Sequence, residues 1–377
     1  MLDLSFFKNI PPLSGFWPWK KGGESVLGID FGSSTIKLVE LRKRQERAGL
    51  MTYGELAIGP YGGVEVGRAS RVVEAKAKEA IEDLLRESAA KSREAVVGIP
   101  ARSSFVTIVE MPVMGEKELS EAIKFEARRY VPVPISEVTV DWWIIPDTFG
   151  LNSGLDEDEG LGKKKKTMSV LLVAIHNETI EKYKSFMNAA GIKILGLEIE
   201  IFSAARSLLG NDLAPILLLD VGASSVKMTI VDYGIVRMVY VHDRGSQAVT
   251  DALAGALGVD FARAEEMKRA IGLSSKPEHQ EMKSIMEPIL DGFLSETSRL
   301  MIDYRRKSGR SVSRVILYGG GGALKGFTEK VAERLGLEAA IGQPFSRIEY
   351  PLLVQPSVKE VGPVFASAVG LGLRGLK

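Results

Sequence analysis

Short apolar segments separated by turn-forming residues run along most of the chain, and they predict alternating strands and helices. From Val26 onwards, apolar residues flank a turn-rich centre in the sequence LGIDFGSSTIKLVEL, a pattern typical of a β-hairpin. A third strand is predicted over 51–58. Apolar residues at helical spacing predict a helix within 71–93, and a short buried strand follows over 95–99.

The stretch between about 101 and 193 predicts a module with its own order of elements, β-α-β-β-α. Its predicted strands and helices fall at 104–111, 116–130, 138–145, 169–175 and 178–190. An acidic block followed by four lysines, within 151–167, separates two of the strands. We expect this segment to be a mobile solvated loop, with a charged docking tag as the alternative.

The second half of the chain repeats the pattern with which the first half begins. Two strands with a turn between them are predicted over 215–236, and a third strand over 237–243. A helical region runs from about 246 to 306 with a break near 272–277, and a strand, glycine turn and helix start follow at 315–327. Mixed strands and helices indicate an α/β architecture. A chain of 377 residues predicts two domains, or one domain divided by a deep cleft.

An internal repeat is the strongest signal in the sequence. DFGSSTIK at 30–37 aligns with DVGASSVK at 220–227, and each copy lies between two apolar strands. At an offset of 190 residues, the identical pairs are Asp30 and Asp220, Gly32 and Gly222, Ser34 and Ser224, and Lys37 and Lys227. Two copies in matching strand contexts predict a shared function, whereas the alternative is two unrelated hairpins that resemble each other by chance.

The residue types of the repeat suit a triphosphate held between two lobes. Glycine lets backbone N–H groups approach a phosphate, the Ser and Thr hydroxyls add donors, and lysine matches the phosphate charge. An aspartate at the head of each turn would repel phosphate unless Mg²⁺ lies between them, so Asp30 and Asp220 are the predicted metal-site residues. The predicted phosphate-binding residues are Gly32, Ser33, Ser34, Thr35 and Lys37 in the first copy and Gly222, Ala223, Ser224 and Ser225 in the second.

A run of four glycines follows the last apolar strand predicted in the second half. Such a run permits very close backbone approach to an adenine or ribose, whereas a plain tight turn needs only one or two glycines. The predicted adenosine-binding residues are Gly319, Gly320, Gly321 and Gly322. No Walker-type sequence is present, and a formal G-x-G-x-x-G at 370–375 is rejected because only two residues follow it.

Composition and charge exclude several classes of function. Lys and Arg number 49 against 48 Asp and Glu, and a net charge of +1 supplies no long-range field, so no nucleic-acid partner is expected. The sequence has no cysteine, which excludes disulfides, thiolate zinc sites and iron–sulfur clusters, and three scattered histidines leave oxygen ligands for any metal. No segment approaches the ~18 apolar residues of a transmembrane helix. We expect a cytoplasmic protein.

Taken in order, these segments resemble the actin-like ATPase superfamily, which includes actin, Hsp70, FtsA and the sugar kinases. The two aspartate turns resemble its phosphate motifs, and the glycine run resembles its adenosine motif. Residues 197–208 and 361–373 resemble its two connecting helices. The resemblance implies that Glu200 faces the metal or a water, and Glu200 is therefore the candidate catalytic residue.

The segment 264–272 resembles the superfamily helix that contacts the nucleotide ribose, here through Glu265 and Lys268. The resemblance as a whole implies an α/β protein with the actin-like ATPase fold, in which two lobes surround a nucleotide cleft. It also implies ATP and Mg²⁺ as cofactors.

Within this superfamily the sequence most resembles the PilM family of type IV pilus assembly proteins. The opening GIDFGSSTIKLVEL follows a short aromatic tail, and SETSRLMIDYRR at 295–306 is similar to the PilM helix before the adenosine strand. The module at 101–193, with FEARRYVPVPISEVTVDW inside it, resembles the extra subdomain that PilM shares with FtsA.

That family resemblance implies a cytoplasmic ATP-binding adaptor with at most slow ATPase activity. Its implied partners are the N-terminal peptide of a PilN-like membrane protein and other pilus assembly proteins. The protein would lie at the inner face of the cytoplasmic membrane, held there peripherally through its partner. A weak homo-oligomer is left open.

The predicted division of the chain follows from the resemblance. It comprises an aromatic N-terminal tail over 1–25, a first-lobe core over 26–100 and 194–210, an inserted partner-binding subdomain over 101–193, a second-lobe core over 211–250 and 310–377, and a helical subdomain over 251–309. The tail is expected to pack on the protein's own surface, with a partner or membrane contact as the alternative.

Two other classes of function are weighed against the adaptor. A small-metabolite kinase has the same fold but needs a base near the acceptor hydroxyl, and no extra aspartate segment clearly offers one. An FtsA-like filament-forming cell-division protein would carry a membrane-binding amphipathic helix after a linker. The chain stops directly after the segment that resembles the second connecting helix, which argues against that class.

Overall fold

The computed structural model describes residues 23–45, 47–70, 73–145, 167–210 and 212–376. Within these ranges it has fourteen strands and ten α-helices. The strands are β1 (Ser25–Phe31), β2 (Thr35–Arg44), β3 (Arg47–Ala57), β4 (Glu94–Ile99), β5 (Ser104–Pro112), β6 (Val138–Ile144), β7 (Thr167–His176), β8 (Lys193–Ile199), β9 (Ile216–Val221), β10 (Val226–Asp232), β11 (Ile235–His242), β12 (Arg314–Tyr318), β13 (Glu338–Ile341) and β14 (Ile348–Glu349). Nearly all of the predicted aromatic tail and of the predicted charged loop lies outside the described residues.

The helices connect these strands and cover the sheets. They are α1 (Glu74–Glu87), α2 (Glu116–Ala127), α3 (Asn177–Ala189), α4 (Glu200–Leu208), α5 (Ser246–Leu257), α6 (Phe261–Ile271), α7 (Gln280–Ser308), α8 (Phe327–Leu335), α9 (Gln355–Val361) and α10 (Ala366–Gly375). Among the described residues, no helix is both long enough and apolar enough to cross a membrane.

The first sheet has six strands in the order β14-β3-β2-β1-β4-β8. Strands β1 and β2 form the predicted hairpin, and the predicted third strand, β3, pairs antiparallel with β2. Strands β4 and β8 run parallel to β1. Helix α1 covers this sheet because Ala77, Ile81 and Leu84 recur at helical spacing and are buried on one face.

The second sheet repeats the arrangement of the first, with five strands in the order β11-β10-β9-β12-β13. Again an antiparallel hairpin is followed by strands that run parallel to its first strand. Asp30 pairs with Lys37 across β1 and β2, and Asp220 pairs with Lys227 at the same position of β9 and β10. The repeat in the sequence is therefore a repeat in three dimensions.

A third, antiparallel sheet with the order β5-β7-β6 lies between β4 and β8 in the chain. It has its own hydrophobic core, in which Leu119 and Ile123 of α2 pack against Val109, Val170 and Leu172 of the strands. This part of the chain therefore folds around a centre of its own. The division of the whole chain into subdomains at the stated boundaries stays a prediction.

Several elements differ from the sequence expectation. Residues 197–199 end strand β8, so the helix expected over 197–208 begins only at Glu200. Strand β8 is buried along almost its whole length, and a short continuous apolar run cannot be distinguished from a helix by periodicity. The helix expected over 361–373 begins at Ala366, after a single 3₁₀ turn that contains Pro363. Strands β13 and β14 were not expected from the pattern.

Helices α4 and α10, the two expected connecting helices, cross with their backbones in contact. A Cβ atom added to Gly370 would lie 1.8 Å from the Ser203 carbonyl oxygen, so no side chain fits there. Close by, Arg206 forms a buried two-pronged ion pair with Glu198 and donates to the Gly370 carbonyl at 3.0 Å. Gly370, the first glycine of the rejected dinucleotide motif, therefore serves the close packing of these two helices.

Candidate functional site

A cavity of about 850 Å³ opens at the turns of the two repeated hairpins. Every predicted site residue except Gly322 lines it. Those residues are Asp30, Gly32, Ser33, Ser34, Thr35, Lys37, Glu200, Asp220, Gly222, Ala223, Ser224, Ser225, Glu265, Lys268, Gly319, Gly320 and Gly321. The fold thus brings together residues that are up to 291 positions apart in the sequence. Their roles in binding stay predictions.

The first repeated loop joins β1 to β2 and presents a lysine that is tied only locally. The Lys37 Nζ atom donates to the Thr35 hydroxyl at 2.7 Å and lies 3.7 Å from the half-exposed Glu55 carboxylate. Asp30, at the end of β1, is buried. Burial raises the pKa of Asp30, and the positive charges of Lys37 and Lys227 oppose that rise.

The second repeated loop joins β9 to β10, and its lysine is held quite differently. The Lys227 Nζ atom is buried and donates to Asp220 at 2.6 Å and to Glu200 at 3.0 Å. Burial alone would lower the pKa of Lys227, but the two carboxylates outweigh burial and raise it. Lys227 is therefore a firmly charged group between two acidic side chains.

Glu200 is the first residue of α4 and is buried at the bottom of the cavity. Its Oε1 atom accepts the backbone N–H of Ala101 at 2.8 Å, and its Oε2 atom accepts from Lys227. Burial raises the pKa of Glu200, while Lys227 opposes that rise. Both carboxylate oxygens thus have partners within the protein. A role for Glu200 in holding water or metal stays a prediction.

The second loop is supported by a turn that the sequence analysis missed. The backbone N–H groups of Ser246 and Gln247, at the start of α5, donate to the Gly222 and Ala223 carbonyls at 2.8 and 2.9 Å. A Cβ atom on Gly245 would lie 2.4 Å from the Gly222 carbonyl oxygen, so this position requires glycine. A glycine directly before a predicted helix was the available signal.

A segment of the first lobe, residues 67–70, contacts the second lobe beside the cavity. The Ser70 N–H donates to the Ser33 carbonyl of the first loop at 2.9 Å, and the Ala69 N–H donates to the Gln247 side chain at 2.8 Å. The Arg68 guanidinium lies 4.1 Å from the centre of the Phe261 ring of α6. The two lobes are therefore joined at the mouth of the cavity.

The four glycines after β12 have different surroundings. Gly319 has a φ of +77°, and a Cβ there would lie 2.2 Å from the Asp220 carboxylate. Gly322 does not line the cavity, and its Cβ would lie 2.4 Å from the Tyr318 carbonyl oxygen, so its glycine is explained by the turn itself. Gly320 is exposed, and its nearest contact, a Val364 methyl group, is 4.0 Å away. Gly320 is therefore the one glycine of the run whose surface a ligand in the cavity could reach without displacing protein atoms.

Glu265 and Lys268 face the cavity from α6 as an ion pair with an oxygen–nitrogen distance of 2.6 Å. Thr250 bonds to both side chains, and Arg269 donates to Glu265 at 2.7 Å. Burial favours the neutral form of Glu265, but Lys268 and these hydrogen bonds outweigh burial and lower the pKa of Glu265. Burial lowers the pKa of Lys268, against the attraction of Glu265.

The cavity has a further region that was not predicted as part of a site. Phe31, Tyr183 and Phe186 line it, with the Phe31 and Tyr183 ring centres 5.1 Å apart. Arg102 and Lys182 add positive charge to the same region. Helix α3 contributes three of these residues, and the helical periodicity that predicted α3 carried no signal for a site.

The metal prediction can be compared with the carboxylates present. Among the described residues, no group of three or more His, Cys, Asp or Glu side chains is arranged to hold a metal ion. Asp30 and Asp220 are nevertheless close enough to Glu200 for the negative charge of each to raise the pKa of Glu200. Mg²⁺ keeps several waters and needs only one or two carboxylates beside phosphate oxygens, so Asp30 and Asp220 fit such an ion.

Comparison with known proteins shows what the chain resembles. The family model for the type IV pilus assembly protein PilM matches residues 28–376. A solved structure of a PilM–PilN type IV pilus biogenesis complex is 25% identical, with a TM-score of 0.79, and the match covers 96% of this chain and 100% of that chain.

Two more distant structures share the fold. The ethanolamine utilization protein EutJ from Carboxydothermus hydrogenoformans is 16% identical over 96% of this chain and 93% of that chain, with a TM-score of 0.52. MreB 5 of Spiroplasma citri bound to AMPPNP is 11% identical over 93% of this chain and 95% of that chain, with a TM-score of 0.50.

These similarities confirm the predicted α/β fold of the actin-like type, with two lobes around a cleft. The family match extends from the middle of β1 to the end of α10 and includes both repeated loops and the three-stranded sheet. The chain belongs to the PilM family of type IV pilus assembly proteins.

Proposed function

We propose that this protein is an ATP-binding adaptor of type IV pilus assembly that couples the state of its nucleotide to the binding of a partner. The observation that carries the nucleotide part is the meeting of the two repeated loops in one cavity. Two glycine turns with hydroxyl side chains and lysines, facing one space, offer many donors to a chain of phosphates.

Different residues of the cavity would contact different parts of the nucleotide. The backbone N–H groups and hydroxyls of the two loops would hold the phosphates, with Lys37 free to turn towards them. Gly320 would lie against the nucleoside, and Glu265 with Lys268 would face the ribose. Bound Mg²⁺ would neutralise phosphate charge beside Asp30 and Asp220. We expect at most slow hydrolysis, since both oxygens of Glu200 are engaged.

The partner that we propose is the N-terminal cytoplasmic peptide of a PilN-type membrane protein. The similar solved complex contains PilM and PilN. In the present chain β6 is one edge of the three-stranded sheet, and its last residue, Ile144, is 38% exposed. An edge strand can bind an extended peptide through backbone hydrogen bonds, with nearby side chains providing specificity.

This partner would place the protein at the inner face of the cytoplasmic membrane, next to other pilus assembly proteins. The protein would then be peripheral to the membrane through PilN. The family match favours neither a metabolite kinase nor an FtsA-like filament-forming protein.

The proposal is tested by titrating the full chain with a synthetic N-terminal peptide of the PilN protein from the same organism. We expect Ile144→Glu to weaken peptide binding by about tenfold, because a charge replaces an apolar contact at the sheet edge. Ile302→Glu is the matched control, since Ile302 is 66% exposed on α7 in the other lobe. Undetectable peptide binding by the wild type, with rapid phosphorylation of a metabolite, would favour the kinase.

A further inference from the structure

The two lysines of the repeat occupy equivalent positions but have different partners. Lys37 donates to Thr35 and lies 3.7 Å from the half-exposed Glu55, and these are its hydrogen-bond and ion-pair partners among the described residues. Lys227 lies between the buried carboxylates of Asp220 and Glu200. A phosphate arriving between the loops therefore meets one lysine that is available and one that must leave two carboxylates to reach it.

Glu200 joins Lys227 to a distant part of the chain. Its Oε2 atom accepts from Lys227 in the second lobe, and its Oε1 atom accepts the Ala101 N–H. Ala101 is buried and lies two residues after β4, where the chain leaves the first sheet. Ala101 begins the short turn Ala101–Ser103, and β5, the first strand of the three-stranded sheet, follows this turn directly.

We propose that Glu200 is a positioning residue that transmits the arrival of phosphate at Lys227 to the start of the three-stranded sheet. When Lys227 turns towards a phosphate, Glu200 loses the cation that balances its buried charge. The carboxylate then moves towards the remaining positive charge of the site, and its bond to the Ala101 N–H loosens. This inference rests on the proposed function, because it assumes that nucleotide enters the cavity and that the partner binds the sheet.

A second contact between the same regions is too exposed to serve as this link. Arg102 donates to Asp243, just after β11, at 3.2 Å. The Arg102 side chain is 46% exposed and the Asp243 side chain is 80% exposed. Exposed ion pairs contribute little and are screened by salt. The buried bonds of Glu200 are therefore the route that responds to charge in the cavity.

The test measures amide hydrogen exchange in the full chain with and without Mg²⁺ and AMPPNP. In the wild type, we expect the nucleotide to speed exchange of the amides in 100–104 by about fivefold. Glu200→Gln keeps an acceptor for the Ala101 N–H but has no charge for Lys227, so exchange should be slow in both states. Glu200→Ala removes the acceptor, so exchange should be fast in both states.

The partner peptide supplies a second readout. The nucleotide should change the affinity of the wild type for the PilN peptide by about fivefold, and this factor should fall to about one in both Glu200 variants. Asp243→Asn is the matched control, because it removes only the exposed ion pair, and it should keep the wild-type response in both measurements.

The outcomes separate this inference from the proposed function. A thermal shift with Mg²⁺ and AMPPNP first establishes that the wild type and the variants are folded and bind nucleotide. If they bind it, and Glu200→Gln responds like the wild type or the wild type does not respond, the link through Glu200 is wrong while the nucleotide site stands. If the wild type shows no thermal shift, the nucleotide site and the link are both wrong.

Discussion

At the residue scale, the site depends on glycines whose surroundings leave no room for a side chain and on one glycine, Gly320, beside which a side chain would fit. Three of the four glycines after β12 are required by their own surroundings, because an added Cβ would lie within 2.5 Å of neighbouring atoms. Gly320 alone has open space beside it and lines the cavity. A substitution at Gly320 therefore tests ligand contact without disturbing the turn.

We expect Gly320→Val to weaken ATP binding at least tenfold, about 1.4 kcal/mol, while the stability of the protein stays unchanged. The valine methyl groups would occupy space proposed for the nucleoside, and the nearest protein atom is 4.0 Å away. Titration calorimetry measures the affinity. Gly255→Val is the matched control, because Gly255 lies in α5 with nothing near its Cβ. Full affinity in Gly320→Val would place the adenosine site elsewhere.

The lowered pKa of Glu265 makes its contribution to stability dependent on pH. Because the folded pKa lies below the ordinary value of 4.5, the stability gained is complete above that value and is lost as the pH falls through the folded pKa. We expect the difference in unfolding free energy between wild type and Glu265→Gln to shrink on acidification below that value, measured by urea denaturation. Glu266→Gln, at an exposed neighbour, should have little effect at any pH. A constant difference down to low pH would contradict the assignment.

At the scale of elements, the sequence predicted best the parts whose signals are local. The hairpins β1–β2 and β9–β10 were expected because apolar runs flank short turns, and both are present. Strand β8 was missed because it is buried on both faces and pairs with a strand almost a hundred residues earlier. Likewise, the position of Gly245 before a predicted helix signals a turn, but no local pattern indicates that this turn supports the loop at Gly222.

The segment 67–70 is the element that we expect to control nucleotide release. Arg68 lies over the Phe261 ring of the opposite lobe, and such a contact is worth about 0.5–1 kcal/mol. Arg68→Ala should therefore speed dissociation of a fluorescent ATP analogue about two- to fivefold, measured by stopped flow. Arg299→Ala removes an exposed arginine of α7 and should leave the rate unchanged. An unchanged rate in Arg68→Ala would show that the mouth of the cavity is held by other contacts.

At the scale of the whole molecule, the cavity exists only because the two lobes each supply half of it. The sequence predicted this pairing from the repeat, since copies 190 residues apart implied two equivalent turns. It could not predict that Lys227 binds Glu200, because that contact depends on how α4 is placed against β10. Identical motifs therefore gave the correct location but not the different roles of the two lysines.

Binding between the lobes should stabilise the whole chain. At a concentration of MgATP about 100 times its dissociation constant, we expect an added unfolding free energy of about 2.7 kcal/mol. Asp30→Ala and Asp220→Ala should each reduce the part of the thermal shift that depends on Mg²⁺. Asp303→Ala, at a half-exposed position of α7, should retain that part of the shift. A wild type that shows no shift with MgATP would contradict nucleotide binding.

The crossing of α4 and α10 determines how the lobes can move. At Gly370 and Ser203 the contact is made by backbone alone, without an interposed side chain. Side chains that interlock must change rotamer or separate before packed helices can slide, and this creates a barrier. Beside this contact, the Arg206 and Ser207 side chains of α4 donate to the Gly370 and Ala366 carbonyls of α10 at 3.0 and 2.7 Å. The backbone contact fixes the distance between the two helices and these bonds resist sliding, so we expect the crossing to act as a fixed pivot when the lobes move.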